Sequence, residues 1–138
     1  MIRQRSLGKP IAYLIGKKNF WNSEFEISEG VLIPRPDTEI LIQETLRLFK
    51  HKKYANILDI GVGSGCILLS ILNEKPGFYG TGIDISEKSI SLSKKNTKKF
   101  GLINKVKLIK TDVDNFCLWK YDLILYNPQY IKKNAIKN

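Results

Sequence analysis

The sequence predicts an α/β fold, an incomplete parallel sheet of βαβ units preceded by a β-hairpin arm. Three observations predict it. Short apolar runs alternate with helical stretches from residue 56 onward. A glycine loop, Gly61-Val62-Gly63-Ser64-Gly65, joins the first run to the first of those helices. An acidic residue, Asp84, stands at the end of the second run.

The elements follow in order. Residues 1–35 read as a basic linker and hairpin arm, and residues 36–138 as a partial ligand-binding domain. In the arm, Phe20, Trp21, Phe25, Ile27, Val31 and Ile33 alternate loosely. Glu29-Gly30 supplies turn chemistry, so a small hairpin or an extended arm is expected over residues 20–33. Pro36-Asp37-Thr38-Glu39 marks a helix start, with acids at the positive end of the dipole. Ile40, Leu41, Leu48 and Phe49 are expected on its apolar face to about residue 50.

The first parallel strand is Ile57-Leu58-Asp59-Ile60, followed by the glycine loop and a short apolar helix from Cys66 to Asn73. The second strand runs from Phe78 to Ile83 and ends at Asp84. Ser86 is the expected N-cap of a helix over Lys88–Phe100, which Gly101 stops. Val106–Ile109 is the third strand and Tyr121–Tyr126 the fourth.

Composition narrows the classes. A chain of 138 residues with 43% hydrophobic and 26% charged content can bury one real core. No apolar run reaches membrane-spanning length, so no membrane partner is expected. No secretory h-region follows the basic N-terminus, and Cys66 and Cys117 stand far apart. These features point to free thiols, a cytoplasmic location and no metal site. The net charge of +10 favours polyanions, so proximity to ribosome or RNA is one reading. The lysines are scattered in pairs, however, as on an ordinary solvated surface.

The glycine loop carries the first chemical signal. Glycines at a strand end let the chain turn sharply and let a ligand lie on the backbone. The following helix aims its free N–H groups at that ligand. A carboxylate at Asp84 is placed to accept hydrogen bonds from a ribose diol. A dinucleotide loop needs G-x-G-x-x-G, but Cys66 holds the third glycine position here. No Gly-Lys-Ser/Thr follows, so a P-loop is excluded. G-x-G-x-G behind the strand acid Asp59 is the S-adenosylmethionine pattern. Asp112, just past the third strand, is either an adenine-facing residue or a turn residue.

The second signal is Asn127-Pro128-Gln129-Tyr130, beyond the fourth strand. Ligands in open parallel sheets bind past the carboxyl ends of strands. An amide or aromatic amine has a delocalised lone pair and needs acceptors for its N–H groups before it attacks a methyl group. The Asn127 side-chain oxygen and the Pro128 carbonyl supply two acceptors. Tyr130 supplies a stacking face, and alignment does most of the catalysis. Asn-Pro is also plain turn chemistry.

These residues carry a family resemblance. The run Leu7–Gly16, Phe20-Trp21, the segment Val31–Glu39, the run Ile57–Ile67 and the Asn127 tetrapeptide resemble the peptide chain release factor glutamine methyltransferases (PrmC/HemK). Their fold is the Rossmann-like fold of class I S-adenosylmethionine methyltransferases. The resemblance implies transfer of a methyl group from S-adenosylmethionine to the glutamine amide of a release factor's Gly-Gly-Gln motif. It implies a cofactor site of Gly61, Val62, Gly63, Ser64, Gly65, Asp84, Asp112, Val113 and Asn127. It implies a catalytic group of Asn127, Pro128 and Tyr130, with Gln129 completing the substrate site.

Gln129 stands where the family has a second proline, and Val113 where many members have an aromatic residue. Members also have a helical domain before Leu7 and three more strands after Tyr130. The fourth strand is therefore an expected bare edge, and a complementing chain with the missing strands is an expected partner. The alternatives are a non-catalytic fragment of such an enzyme and a nucleic-acid (adenine amino) methyltransferase.

Overall fold

The computed structural model describes residues 11–118 and 120–127. The arm begins with α1 (Ile11–Ile15), then β1 (Lys17–Phe20) and β2 (Ser23–Glu26), which pair antiparallel. The hairpin therefore lies earlier than the expected residues 20–33. Its turn is Trp21-Asn22, where Trp21 holds φ 57°. That left-handed backbone is held from outside. The Trp21 N–H donates to Glu39 Oε2 at 2.9 Å, and the indole N–H donates to Glu74 Oε1 at 3.2 Å. Glu29-Gly30 does make a turn, with Gly30 at φ 89°. That turn leads the chain into the segment ending at Pro34 instead of closing a hairpin.

A single 3-10 turn, Pro36–Thr38, opens α2 (Glu39–Leu48). Ile42 and Thr45 are buried, with Leu41, Leu46 and Phe49 partly so. Ile40 and Leu48, expected inside, are 57% and 59% exposed. The buried stripe follows 42, 45 and 49, a three-to-four residue spacing that leaves both on the other side.

The main sheet holds β3 (Ala55–Ile60), β4 (Phe78–Asp84), β5 (Val106–Lys110) and β6 (Leu123–Tyr126). Its order is β5-β4-β3-β6, and every pairing is parallel. Two helices connect the strands, α3 (Cys66–Glu74) and α4 (Glu87–Lys99). Seven consecutive residues of α3, Cys66–Leu72, are buried, so this mainly apolar helix is enclosed on all sides. Ser86 caps α4 by accepting the Ser89 N–H at 3.2 Å, and Gly101 ends it at φ 69°.

The first and fourth parallel strands, β3 and β6, lie side by side with Leu58 opposite Ile124. Among the described residues β6 pairs with β3 alone. Leu125 is buried in the core, but Ile124 and Tyr126 on the opposite face are 41% and 47% exposed. Among the described residues no helix is long and apolar enough to cross a membrane.

The arm and the sheet share one core. Phe20 and Phe25 join the buried cluster that contains Ile57, Leu68, Leu72 and Phe78. Phe25 is fully buried and meets Phe100 edge to face at 4.9 Å, with Phe20 at 6.3 Å. Phe25→Ala removes the ring that joins arm to α4. It should lower unfolding free energy by about 3–5 kcal/mol, measured by urea denaturation. A loss below about 1 kcal/mol would show that the arm adds little to the core.

Candidate active site

The candidate site lies at the carboxyl ends of β3, β4 and β6. Three of the five loop residues, Gly61, Gly63 and Gly65, have φ of 74°, 57° and 88°. Side chains strain in this left-handed region, so the loop path requires glycine there. The Gly61 and Val62 N–H groups both donate to the Ile83 carbonyl, at 2.8 and 3.0 Å. This pins the loop to the end of β4. Gly82 is bare because Val62 packs on it: a Cβ at Gly82 would lie 2.6 Å from Val62 Cγ2.

Asp84 meets the loop from the next strand. Its Oδ2 accepts the Gly63 N–H at 3.0 Å, and its Oδ1 accepts the Ser86 N–H at 2.9 Å. Two backbone donors fix the carboxylate plane, and each oxygen keeps a further lone pair for a ligand. Ile85, the next residue, is 66% exposed on the same cleft and offers a flat apolar surface.

The cleft itself encloses about 290 Å³. One side is Gly61–Ser64 with Cys66 and Ile67, and another is Asp84–Ser86 with Ser89. The arm segment from Gly30 to Pro34, with Thr38, forms a further wall. Val31 is buried and its carbonyl accepts the Tyr13 hydroxyl at 2.7 Å. Asn127 lines the same cleft, half-buried. The structure thus brings Gly61, Val62, Gly63, Ser64, Asp84 and Asn127 together. Gly65 lies behind that surface and turns the chain into α3, where a Cβ would come within 3.0 Å of Leu69.

Asp112 and Val113 do not line the cleft. Asp112 is exposed, and its Oδ1 accepts the Asn115 N–H at 3.0 Å and the Asn115 side-chain amide at 2.9 Å. That is a local Asx turn. It starts beside the site, because the Thr111 N–H donates to the Asp84 carbonyl at 3.0 Å. Pro128, Gln129 and Tyr130 lie outside the described residues.

Sequence reading gave no cleft role to the Gly30–Pro34 wall or to Ile85. Ile85 carried a usable signal, an apolar residue at a strand end where turns are usually polar. The wall carried none, because its place depends on how the arm folds back.

Two side chains under the loop have shifted acidities. Asp59, 2% exposed on β3, is pushed up to about 8, first by burial and then by the nearby Asp84 carboxylate. It is thus mainly protonated at neutral pH. Burial pushes the Cys66 thiol up to about 12, so this cleft residue is an inert thiol. Among the described residues no three His, Cys, Asp or Glu side chains gather in a metal-binding group.

The Asp59 shift makes stability depend on pH. Above the ordinary value near 3.8 the unfolded chain loses this proton while the folded chain keeps it to about 8. Stability from this group is full below pH 4 and falls as pH rises toward 8, by at most about 1.4 kcal/mol per pH unit. Asp59→Asn keeps the shape and removes the titration. Its thermal midpoint should exceed that of the parent at pH 8, and the gap should close toward pH 4. Parallel melting profiles across that range would refute the buried, protonated carboxyl.

Similarity to known proteins agrees with this geometry. The methyltransferase small domain family matches residues 36–138. The release factor glutamine methyltransferase of Fusobacterium nucleatum is 45% identical over 132 residues, covering 91% of this chain and 36% of that protein. The chain spans 36–50% of the length of such curated relatives. A methyltransferase from Thiobacillus denitrificans, solved with S-adenosyl-L-homocysteine, matches with TM-score 0.54 and 27% identity over 62% of this chain and 34% of that one. The METTL16 methyltransferase domain shares the fold, with TM-score 0.66 and 22% identity over 82% of this chain and 49% of that one. The chain belongs to the methyltransferase small domain family, has the Rossmann-like class I fold, and is similar in sequence to release factor glutamine methyltransferases.

Proposed function

We propose that the chain carries the cofactor-binding and nucleophile-positioning part of a methyltransferase. The reaction moves a methyl group from S-adenosylmethionine to the glutamine amide of a release factor Gly-Gly-Gln motif. One observation carries this reading: Asn127 lines the same cleft as the glycine loop and Asp84.

The residues present fit the cofactor. Gly61–Ser64 would hold the amino-acid tail, and Asp84 keeps lone pairs for the ribose hydroxyls. Ile85 offers an apolar face to adenine, and the Asp112–Val113 turn, tied to Asp84 through Thr111, borders that end. The ligand carries an ammonium, a carboxylate and a sulfonium, a net positive charge that suits the Asp84 carboxylate on the cleft wall. When bound, it supplies an electrophilic methyl group on positive sulfur.

The protein positions the acceptor. The Asn127 side-chain oxygen and the Pro128 carbonyl take the N–H hydrogens of the substrate amide, with Gln129 and Tyr130 completing the surface against it. Held so, the amide nitrogen would present its lone pair to the donor's methyl group, and its proton would leave to solvent once the nitrogen is methylated. Alignment is the main catalytic contribution. The apolar β6 edge, with Ile124 and Tyr126 exposed, supports a further strand there, from a complementing chain or from the same polypeptide.

Purified chain, labelled methyl donor and a release factor test this directly. Label should appear on the factor and vanish when its Gly-Gly-Gln glutamine is changed to alanine. Label that persists refutes the acceptor, and label on RNA or DNA favours an adenine amino group. Asn127→Ala should lower transfer by about 10²-fold or more. Cofactor affinity should change far less, because the loop and Asp84 remain.

A further inference from the structure

Two walls of the cleft come from distant parts of the chain, the glycine loop and the arm segment Gly30–Pro34. A single buried side chain joins the loop to the strand that leads into the arm wall. Asn96 on α4 is fully buried. Its Oδ1 accepts the Glu26 N–H at 2.8 Å. Its Nδ2 donates to the Glu26 carbonyl at 3.1 Å and to the Ser64 carbonyl at 2.9 Å.

Both N–H donors and the oxygen of the carboxamide are therefore engaged. Glu26 is the last residue of β2, four residues before the wall begins at Gly30. Ser64 is the residue between two left-handed glycines of the loop. The Glu26 side chain is held on the same helix, 3.0 Å from Lys99 and 3.6 Å from Lys95. The α4 surface thus grips the end of β2 by backbone and side chain together, and Asn96 passes that grip to the loop.

We propose that Asn96 is a positioning residue that couples seating of the hairpin arm to the conformation of the glycine loop. If the arm lifts, Asn96 loses two of its three hydrogen bonds, both to Glu26, and is free to leave Ser64. If the loop shifts, a buried carboxamide N–H loses its acceptor, which disfavours the seated arm. Such coupling is reciprocal: whatever orders the loop orders the arm, and the reverse. Its functional meaning rests on the methyltransferase reading, in which the loop holds the cofactor. The coupling itself is measurable with no ligand present.

Native-state hydrogen exchange read by NMR tests it, on the parent and on Asn96→Ala and Asn96→Asp. The informative amides are Gly63 and Gly65, whose own acceptors, Asp84 and the Val62 carbonyl, are untouched by either change. Glu26 reports the arm, and Leu58, fully buried in β3, reports the sheet. Gly63, Gly65 and Glu26 should all exchange about tenfold faster or more in the variants, a change typical of a lost buried hydrogen bond. Leu58 should change less. Acceleration at Glu26 with Gly63 and Gly65 unaltered overturns the coupling, as does equal acceleration at all four positions.

A variant that leaves Asn96 in place covers the case in which these fail to fold. Lys99→Met removes the nearer of the two cations that hold the Glu26 carboxylate and leaves Lys95. Coupling predicts faster exchange at Gly63 and Gly65, by a few-fold at most for so exposed an ion pair. No change at the loop overturns it. S-adenosylmethionine, added to the parent, should slow exchange at Glu26 as well as at the loop. Failure of the parent to bind it at all would count against the methyltransferase reading, while the ligand-free exchange result would still decide the coupling.

Discussion

The turn from β3 into α3 reverses direction within five residues, and it does so by placing three of them at positive φ. The site depends on that constraint. With Cβ atoms at those positions the backbone would relax, and the Gly63 N–H would leave Asp84. The carboxylate would then lose the donor that holds it against the loop. The loop also has a fixed seat. Its first two N–H groups share the Ile83 carbonyl, and Val62 fills the space that Gly82 leaves open. Strand, loop and carboxylate form one unit because each removes the freedom of the next.

A price for this arrangement appears in the buried carboxyls. Asp59 sits under the loop, away from water, with Asp84 nearby, and its proton is retained up to about pH 8. A cation held against Asp84 in the cleft would ease the repulsion that helps to keep Asp59 protonated. The apolar side of the cleft comes from elsewhere, from Ile85 and from the arm. The arm is therefore part of the site. It is attached through the Phe25 contact with Phe100, the Trp21 bonds to Glu39 and Glu74, and the Asn96 carboxamide.

Much of this was legible in the residues. The alternation of strands and helices, the Ser86 cap and the Gly101 stop follow from local chemistry. So does the meeting of the glycine loop with Asp84. The hairpin was misplaced because its turn is held by distant groups, Glu39 and Glu74, rather than by turn residues of its own. Ile40 and Leu48 were misassigned because apolar residues outnumber the buried positions of α2. Asn96 was invisible, since an asparagine inside a lysine-rich helix reads as solvated surface. Its burial is a tertiary fact, created only when β2 lies across α4.

Calorimetric titration of the chain with S-adenosylmethionine tests the central claim most directly, that loop, carboxylates and arm wall make one cofactor site. The account predicts saturable one-to-one binding that Asp84→Ala weakens by about tenfold or more, the scale of a lost charge-assisted hydrogen bond. No heat up to about millimolar ligand, a binding energy weaker than about 4 kcal/mol, would contradict it.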